Sequence, residues 1–296
     1  MKFITTQWKY FLHSIPQRRS AWHIGRLPLE AWYLVRNVHR HRAALKAPAP
    51  AYPGTERCGI VLLSHNRPQN IDWIVRSALK NAFVGSLVVS NSNRGIQIAD
   101  WVRVEDPRLT LVDERESTQP GHRFAIARQM DADWFLAVDD DIFLTPEQWM
   151  LFFSRLVEQP AVPHGLTGNL YKENGIDRQE LPFAHVTEVE CEVDVLIGAY
   201  AFSRDHLDSL FSISKGLGFP NISLVRNGED IMLSFAGSGR PVIHDLGRIF
   251  CCATSSVEGV ALWKTHGNFW RERAELFERV RELAGYEVPI TKASII

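Results

Sequence analysis

Three consecutive carboxylates, Asp139, Asp140 and Asp141, follow the apolar run 134–138. Strand interiors are poor in Asp, and ionised carboxylates are almost never buried without a partner. A buried strand that ends in three acids therefore needs a counter-charge. Mg²⁺ and Mn²⁺ are suited to this role, because they bind carboxylate oxygens and usually bridge to substrate phosphates. The triplet indicates a metal and nucleotide site, and the simpler alternative is a solvated turn.

Two other polar segments follow predicted strands. Asn66 and Arg67 come after the apolar run 58–63, and Asn91 follows a second short run at 87–89. An Arg side chain suits phosphate because its planar fork donates two parallel hydrogen bonds. The alternative at both places is an ordinary turn with exposed polar side chains. Ligands bind at the carboxyl ends of parallel strands, so we expect these loops and the acidic triplet to converge on one crevice.

Further candidates lie on predicted helices. Arg123 and Arg128 are on the helix before the acidic strand; one would face the nucleotide and the other solvent, and we favour Arg123. Glu229 and Asp230 begin a later helix after Gly228. The helix macrodipole alone would favour acids at that position. The functional alternative is a carboxylate that faces a reacting carbon or an acceptor hydroxyl.

The order of predicted elements places these residues in an α/β fold with a mixed, mainly parallel sheet and right-handed crossovers. In the first half, strands are predicted at 58–63, 87–89, 109–112 and 134–138, and helices at 71–81, 121–130 and 146–157. Asn70 and Thr145 are the expected N-caps of the first and third of these helices. In the less regular second half, strands are predicted at 166–171, 184–193 and 195–202, and helices at 205–211, 231–236 and 263–283.

Bulk composition limits the class of protein. The 296 residues are 45% hydrophobic and 23% charged, which suits one large globular domain or two small ones. No apolar stretch approaches the roughly 18 residues of a transmembrane helix, and Lys9 interrupts the N-terminal apolar stretch, so we expect no signal peptide. The cysteines fit no zinc spacing and are expected to be free thiols in a reducing, cytoplasmic compartment. They are Cys58, Cys191, Cys251 and Cys252.

The N-terminal segment 1–46 is basic and aromatic. It has nine Lys and Arg residues against one acid, Glu30, and its charge is therefore about +8. Such a pattern suits an anionic membrane interface, and the alternative is a helical arm that packs on the body or on a second subunit. We expect no nucleic acid partner. Prolines between 47 and 54 predict a linker, which gives an arm and linker at 1–50, a body at 57–285 and a tail at 286–296.

The body resembles the GT-A fold glycosyltransferases, and its second half looks most like the exostosin-type retaining transferases. The likeness covers about residues 57–285, and nothing in 1–50 belongs to it. The segments that carry it are Asn66-Arg67, Asn91–Asn93, Arg123, Val138–Asp141, Leu196–Ala199, Glu229–Ile231 and the cluster of Trp263, His266 and Arg271. The acidic triplet occurs in many transferases, whereas the segments at 196–199 and 229–231 are more specific.

This resemblance implies a UDP-sugar donor, with an N-acetylhexosamine or a hexose as the sugar. The acidic triplet itself indicates that Asp139 and Asp141 hold Mn²⁺ or Mg²⁺; we favour Asp141 as the direct ligand, and Asp139 could reach the metal through water or contact the ribose. The donor-binding residues that the resemblance implies are Asn66, Arg67, Asn91, Arg123, Asp139, Asp140 and His266. The basic, aromatic segment 1–46, and not the resemblance, suggests the acceptor: a glycan or a lipid-linked sugar, such as a surface polysaccharide, reached from the inner face of a membrane.

The same resemblance implies catalytic roles for three residues. Asp230 would lie near the reacting sugar carbon, beside Glu229, which stands where the family usually has Asp. Arg271 would contact the donor diphosphate, although the spacing differs by about one residue and Arg273 is the alternative.

Three other functions stay open at this level. An inverting transferase of the same fold would use Asp230 as general base. A non-catalytic nucleotide-binding protein would share only the GT-A fold, but the acids at 139–141 and 229–230 are both present and argue against it. A nucleotidyltransferase would need a Gly-rich phosphate loop near its first strand, and residues 64–68 contain no glycine.

Overall fold

The structure is a computed structural model that describes residues 7–12, 15, 25, 27–171, 183–252 and 267–285. Residues 7–12 are helical. The further α-helices are α1 (Leu27–Lys46), α2 (Pro68–Leu79), α3 (His122–Gln129), α4 (Pro146–Glu158), α5 (Arg204–Gly216), α6 (Glu229–Ser234) and α7 (Phe269–Ala284). The strands are β1 (Cys58–Ser64), β2 (Val84–Asn91), β3 (Leu109–Asp113), β4 (Trp134–Val138), β5 (Ile142–Phe143), β6 (His164–Tyr171), β7 (Phe183–Thr187), β8 (Cys191–Glu192), β9 (Val195–Ser203), β10 (Val242–Ile243) and β11 (Phe250–Cys251).

A mixed nine-stranded sheet organises the body. Its strand order is β3-β2-β1-β4-β9-β6-β10-β8, with β7 paired to β6. The first four strands are parallel, whereas β9 runs antiparallel to both β4 and β6. The strands β5 and β11 form a separate two-stranded sheet. The α/β class and the mixed sheet predicted from the sequence are confirmed, with the parallel strands concentrated in the first half.

Two apolar cores cover the two faces of this sheet. Ile60 and Leu62 of β1 contribute to one core, and Val61 between them contributes to the other. Successive strand residues point to opposite faces, so a central strand covered on both sides is a continuous apolar run. The unbroken run at 58–63 is explained by this double burial.

The N-terminal arm packs on the body. Leu34, Val38 and His41 of α1 are buried, and they face the first of the two cores. The His41 ring stacks on Trp73 at 5.3 Å between centroids and meets Phe143 edge-on at 6.1 Å. One face of α1 therefore packs on the body, as in the second of the two interpretations of the arm. The other face of α1 is exposed.

Local differences from the sequence predictions have physical causes. Helix α2 begins at Pro68, whose fixed φ suits the first helical position, and Arg67 rather than Asn70 is at the N-cap. Thr145 caps α4 as predicted, and its side chain accepts a hydrogen bond from the Gln148 N–H. The strand predicted at 184–193 is two short strands, because the backbone turns at Glu188 with a φ of 57°.

Two further expectations can be compared with the structure. None of the helices in the described ranges is both long and apolar enough to span a bilayer. All four cysteines are free thiols, as predicted. The first four residues of the helix predicted at 263–283 lie outside the described residues.

Candidate active site

The loops that follow β1, β2 and β4 emerge at one edge of the sheet. In the parallel register, Ser64 pairs with Asn91 and Leu62 pairs with Val138, so the three strands end at nearly the same level. Because the carboxyl ends of parallel strands form the ligand crevice of such sheets, this edge is the candidate site. The three polar loops predicted from the sequence do converge here.

Two arginines supply the counter-charge for the acidic triplet. Arg67 contacts Asp140 at 2.5 Å and Asp141 at 3.3 Å through its two terminal nitrogens. Arg123 donates a hydrogen bond of 2.8 Å to Asp139. The charge balance that the sequence argument assigned to a metal is thus met in part by the protein itself.

The three carboxylates differ in their exposure. The side chain of Asp139 is 38% exposed, whereas those of Asp140 and Asp141 are 10% and 14% exposed. Burial raises the pKa of Asp141 to about 7, in spite of Arg67, and it also raises the pKa of Asp140. Carboxyl groups whose pKa is raised by burial would gain from an additional cation.

The second acidic segment is buried at the start of α6. Gly228 is the N-cap, with a φ of 100°, and a Cβ atom there would lie 2.2 Å from a methyl group of Leu276. Glycine therefore allows both the left-handed backbone and the close approach of α7. Glu229 and Asp230 follow directly, with exposed fractions of 6% and 5%.

Asp230 forms a bidentate ion pair with Arg273. The two terminal nitrogens of Arg273 donate to the two carboxylate oxygens at 2.9 and 2.8 Å. The backbone N–H of Ile231 adds a hydrogen bond of 2.9 Å to the same carboxylate. Arg271 is 63% exposed and lies 3.8 Å from Glu275 on the outer face of the helix. The structure therefore brings Arg273, and not Arg271, to the acidic segment.

Arg123 and Tyr200 join the two acidic segments into one cluster. The Arg123 guanidinium carbon lies 5.1 Å from the centre of the Tyr200 ring. Burial alone would lower the pKa of Arg123, but the charges of Asp139 and Glu229 outweigh burial and raise it. Burial, followed by the charges of Asp230 and Asp139, raises the pKa of Tyr200.

Glu229 holds its proton unusually tightly. Burial, reinforced by the neighbouring charge of Asp230, raises its pKa to about 8, although Arg123 and Arg273 oppose the shift. Near neutral pH this carboxyl group is therefore mostly a hydrogen-bond donor rather than an anion.

The remaining predicted residues lie in different settings. Asn66 is exposed on the loop after β1. Asn91 is buried, and its amide donates to Asp113 at 2.7 Å and to the Ile96 carbonyl at 2.8 Å. These bonds give Asn91 a structural role in shaping the loop after β2. His266 lies outside the described residues.

A second polar network at the same edge was missed in the sequence. Ser90 donates to Glu114 at 2.6 Å, and the Nε2 atom of His122 lies 3.0 Å from the same carboxylate oxygen. The Nδ1 atom of His122 lies 3.0 Å from the Ser223 hydroxyl. These four residues are isolated in the sequence, and only the end of β3 before Glu114 could have drawn attention to one of them.

The charges at the site fit a divalent cation. Five carboxylates, at 139–141 and 229–230, face three guanidinium groups, so with Glu229 protonated the cluster has an excess of one negative charge, which a bound cation would offset. In the described part of the chain, no three His, Cys, Asp or Glu side chains are grouped to hold a metal by themselves. A cation at Asp139 and Asp141 would need other oxygen ligands, which agrees with the usual binding of Mg²⁺ by one or two carboxylates and substrate phosphates.

Comparison with known proteins supports the fold. Protein-family models and curated proteins give no match to this sequence. The structure of GalNAc-T7 with UDP, GalNAc and Mn²⁺ is similar, with a TM-score of 0.51 and 10% identity over 77% of this chain. The present chain spans 55% of the length of that protein.

Two other solved structures show weaker likeness. The mannosyltransferase PcManGT from Pyrobaculum calidifontis with GDP-Man and Mn²⁺ has a TM-score of 0.48 and 18% identity, over 82% of this chain and 68% of that one. CMP:2-keto-3-deoxy-manno-octonic acid synthetase with CTP has a TM-score of 0.36 and 13% identity, over 53% and 78% of the two chains. At identities this low, structural similarity is evidence for the fold alone. The conclusion about the fold rests on the comparison with GalNAc-T7. The fold is GT-A-like, as the sequence resemblance predicted.

Proposed function

We propose that this chain is a metal-dependent glycosyltransferase that moves a sugar from a UDP-sugar to a glycan or a lipid-linked acceptor, with retention. The observation that carries the proposal is the meeting of two acidic segments, 139–141 and 229–230, around Arg123 at the carboxyl edge of a GT-A-like sheet. The UDP, GalNAc and Mn²⁺ bound by GalNAc-T7 support a UDP-N-acetylhexosamine as the first donor to test. We also propose that the chain is related to the exostosin-type retaining transferases.

The donor diphosphate would bind between the acidic triplet and its two arginines. Asp139 and Asp141 would hold the cation, which neutralises the diphosphate and stabilises the leaving group as a Lewis acid. Arg67 and Arg123 already contact the carboxylates, and their guanidinium groups suit bidentate contacts with phosphate oxygens. Asn66, exposed on the adjacent loop, would contact the nucleotide.

The setting of Asp230 favours retention. Both carboxylate oxygens of Asp230 already accept hydrogen bonds from the buried Arg273, and one of them also accepts from the Ile231 N–H, so this carboxylate is held by the protein and is poorly placed to take the acceptor proton. Asp230 would instead stabilise positive charge on the sugar carbon or orient the acceptor. The departing phosphate would then take the acceptor proton, and no protein base would be needed.

An inverting reaction is the second candidate, and Glu229 is the observation in its favour. Its pKa of about 8 is close to the operating pH that suits a general base. Proton NMR of the first product separates the two mechanisms. An α-linked product from an α-linked donor supports retention, and a β-linked product would rule it out.

Donor binding can be tested by thermal unfolding with a panel of nucleotide sugars. A ligand that binds the native state at about 100 times its Kd stabilises the protein by about 2.7 kcal/mol. We expect UDP-sugars to raise the melting temperature with Mn²⁺ present and to lose this effect after chelation. If no nucleotide sugar raises it under either condition, the donor class is wrong.

Turnover can be tested with matched carboxylate variants. We expect Asp141→Asn and Asp230→Asn to reduce UDP release from the stabilising UDP-sugar by about 100-fold or more, because each loses a charge that faces the reaction. Asp131→Asn is the control, since Asp131 is exposed beyond α3, before the start of β4. Full turnover by both site variants would mean that the site does no catalysis.

A further inference from the structure

The outer face of α1 carries large apolar side chains in water. Leu29, Trp32 and Val35 are 44%, 52% and 42% exposed. Residues three apart on a helix share one face, so these three form a continuous apolar stripe. The opposite side of α1, with Leu34 and Val38, is buried against the body. Among the described residues, the stripe therefore faces away from the side of α1 that packs on the body.

The same helix becomes basic towards its C-terminus. Beyond the stripe, the exposed basic residues are Arg36, His39, Arg40, Arg42 and Lys46. Between residues 27 and 55 the sequence has one acid, Glu30. The Arg36 guanidinium carbon lies 5.2 Å from the centre of the Trp32 ring, so the apolar and basic parts of the face are in contact.

We propose that this outer face of α1 binds the surface of an anionic lipid bilayer. Trp and aliphatic side chains would enter the boundary between headgroups and acyl chains, and the basic side chains would attract acidic headgroups. A second copy of this chain is a poorer occupant, because a two-fold interface would present the same face, and residues 27–55 have only one acid, Glu30, to set against the basic side chains. The inference deepens the proposed function and rests on it, because a lipid-linked acceptor would lie in that bilayer.

The arm is attached to the acidic triplet by side-chain hydrogen bonds. The Gln7 amide donates to Asn70 at 2.8 Å, and the Asn70 amide donates to the Asp140 carbonyl at 2.9 Å. Arg40 of α1 donates to the Arg248 carbonyl at 3.2 Å, just before the strand that pairs with β5. A bilayer bound to the arm would therefore hold the candidate site at a fixed place relative to the lipid surface.

Sedimentation of the full chain with vesicles tests the apolar part of the face. We expect binding to phosphatidylcholine vesicles that contain about one-third phosphatidylglycerol, and little binding to phosphatidylcholine alone. The variant Trp32→Ser/Val35→Ser should bind at least about tenfold more weakly. The matched control is Trp101→Ser/Val189→Ser, which removes a Trp and a Val that are each 43% exposed elsewhere on the surface.

A second variant tests the basic part. Arg36→Gln/Arg42→Gln should weaken binding by about fivefold for each charge removed, and added salt should weaken binding of the unsubstituted chain. All six substituted side chains are exposed, so each variant should melt at the temperature of the unsubstituted chain.

Three results would overturn the proposal: equal binding to neutral and anionic vesicles, no vesicle binding, or full binding by both arm variants. If the arm variants instead abolish self-association in velocity sedimentation and keep vesicle binding, the face belongs to a second copy. Stabilisation by UDP-sugar and Mn²⁺ is measured on the same proteins without lipid. If the chain binds the donor but not vesicles, the membrane proposal is wrong and the transferase proposal is unaffected. If it binds vesicles but no donor, the transferase proposal is wrong and the membrane-binding surface is unaffected.

Discussion

The ion pair between Asp230 and Arg273 is almost fully buried, with side-chain exposures of 7% and 5%. Breaking such a pair leaves one charge unpaired in the interior. We expect Arg273→Met to lower the free energy of unfolding by about 3–5 kcal/mol. Arg271→Met should change it by less than about 0.5 kcal/mol, because that side chain is 63% exposed. Urea unfolding of both variants measures the difference, and equal losses would contradict the assignment.

The raised pKa of Glu229 predicts a pH-dependent penalty. Unfolded Glu ionises near 4.5, whereas in the folded protein the pKa is about 8. Between these pH values the folded state holds a proton that the unfolded state lacks, so the contribution of Glu229 to stability falls as pH rises. Glu229→Gln cannot ionise, and its advantage over the unsubstituted chain should grow by up to about 1.4 kcal/mol per pH unit in this window.

Melting temperatures at several pH values from 5 to 8.5, roughly the window set by these pKa values, measure that advantage. Glu275→Gln is the control, because it makes the same chemical change at a side chain of α7 that is 64% exposed. An advantage of Glu229→Gln that stays constant across the range would show that Glu229 ionises normally.

Residue chemistry explains which site residues the sequence could predict. Asp139 and Arg123 stand out because charges at strand ends and in a helix before an acidic strand need partners, and the two do meet. The sequence alone could not show which of Arg271 and Arg273 faces the site. Residues two positions apart on a helix differ by roughly 200° around its axis, so the two side chains point in nearly opposite directions. Only the packing of α7 on Asp230 decides which of them faces inward.

The approach of α3 to the segment at 222–224 places Arg123 in the site. Gly121 is the N-cap of α3, and a Cβ atom there would lie 2.2 Å from the Ile222 carbonyl oxygen. We expect Gly121→Ala to destabilise the protein by about 1–3 kcal/mol and to weaken donor binding, because the helix must move away.

Gly85→Ala, in β2, is the matched control for Gly121→Ala. Its nearest neighbour would lie at 3.5 Å, an ordinary contact, so the substitution should be neutral or slightly stabilising. Chemical unfolding of the two variants, with Mn²⁺-dependent donor stabilisation as a second readout, tests the contact. Similar behaviour of both would mean that the two segments are not held together at Gly121.

At the scale of elements, the parallel half of the sheet was predictable and the rest was less so. The strand at Trp134–Val138 was predicted with both ends correct, because an apolar run stops abruptly at charged residues. β6 begins at His164, two residues earlier than predicted. A polar ring would not be expected in a buried strand, but the ring of His164 is satisfied there by a 2.8 Å hydrogen bond with His244. The break at Glu188 has no Gly or Pro to mark it.

The arm contributes to the stability of the whole molecule. Phe11, Leu34 and Val38 are buried in the core that also contains β1, and burial of each such side chain contributes about 1.5–3 kcal/mol. We expect deletion of residues 1–46 to lower the free energy of unfolding by about 5 kcal/mol or more. Thermal unfolding followed by circular dichroism measures this, and an unchanged melting temperature would mean that the arm is dispensable for folding.

Asn70 has a further consequence for the molecule as a whole. One amide group joins two partners distant in sequence, with Gln7 63 residues before it and the Asp140 carbonyl 70 residues after it. We expect this relay to couple its two ends, and thermodynamic reciprocity then requires that docking of the arm and binding at the triplet favour each other by the same free energy. Nucleotide and Mn²⁺ bound at the triplet should therefore slow amide hydrogen exchange in residues 7–12, and Asn70→Ala should abolish that long-range protection.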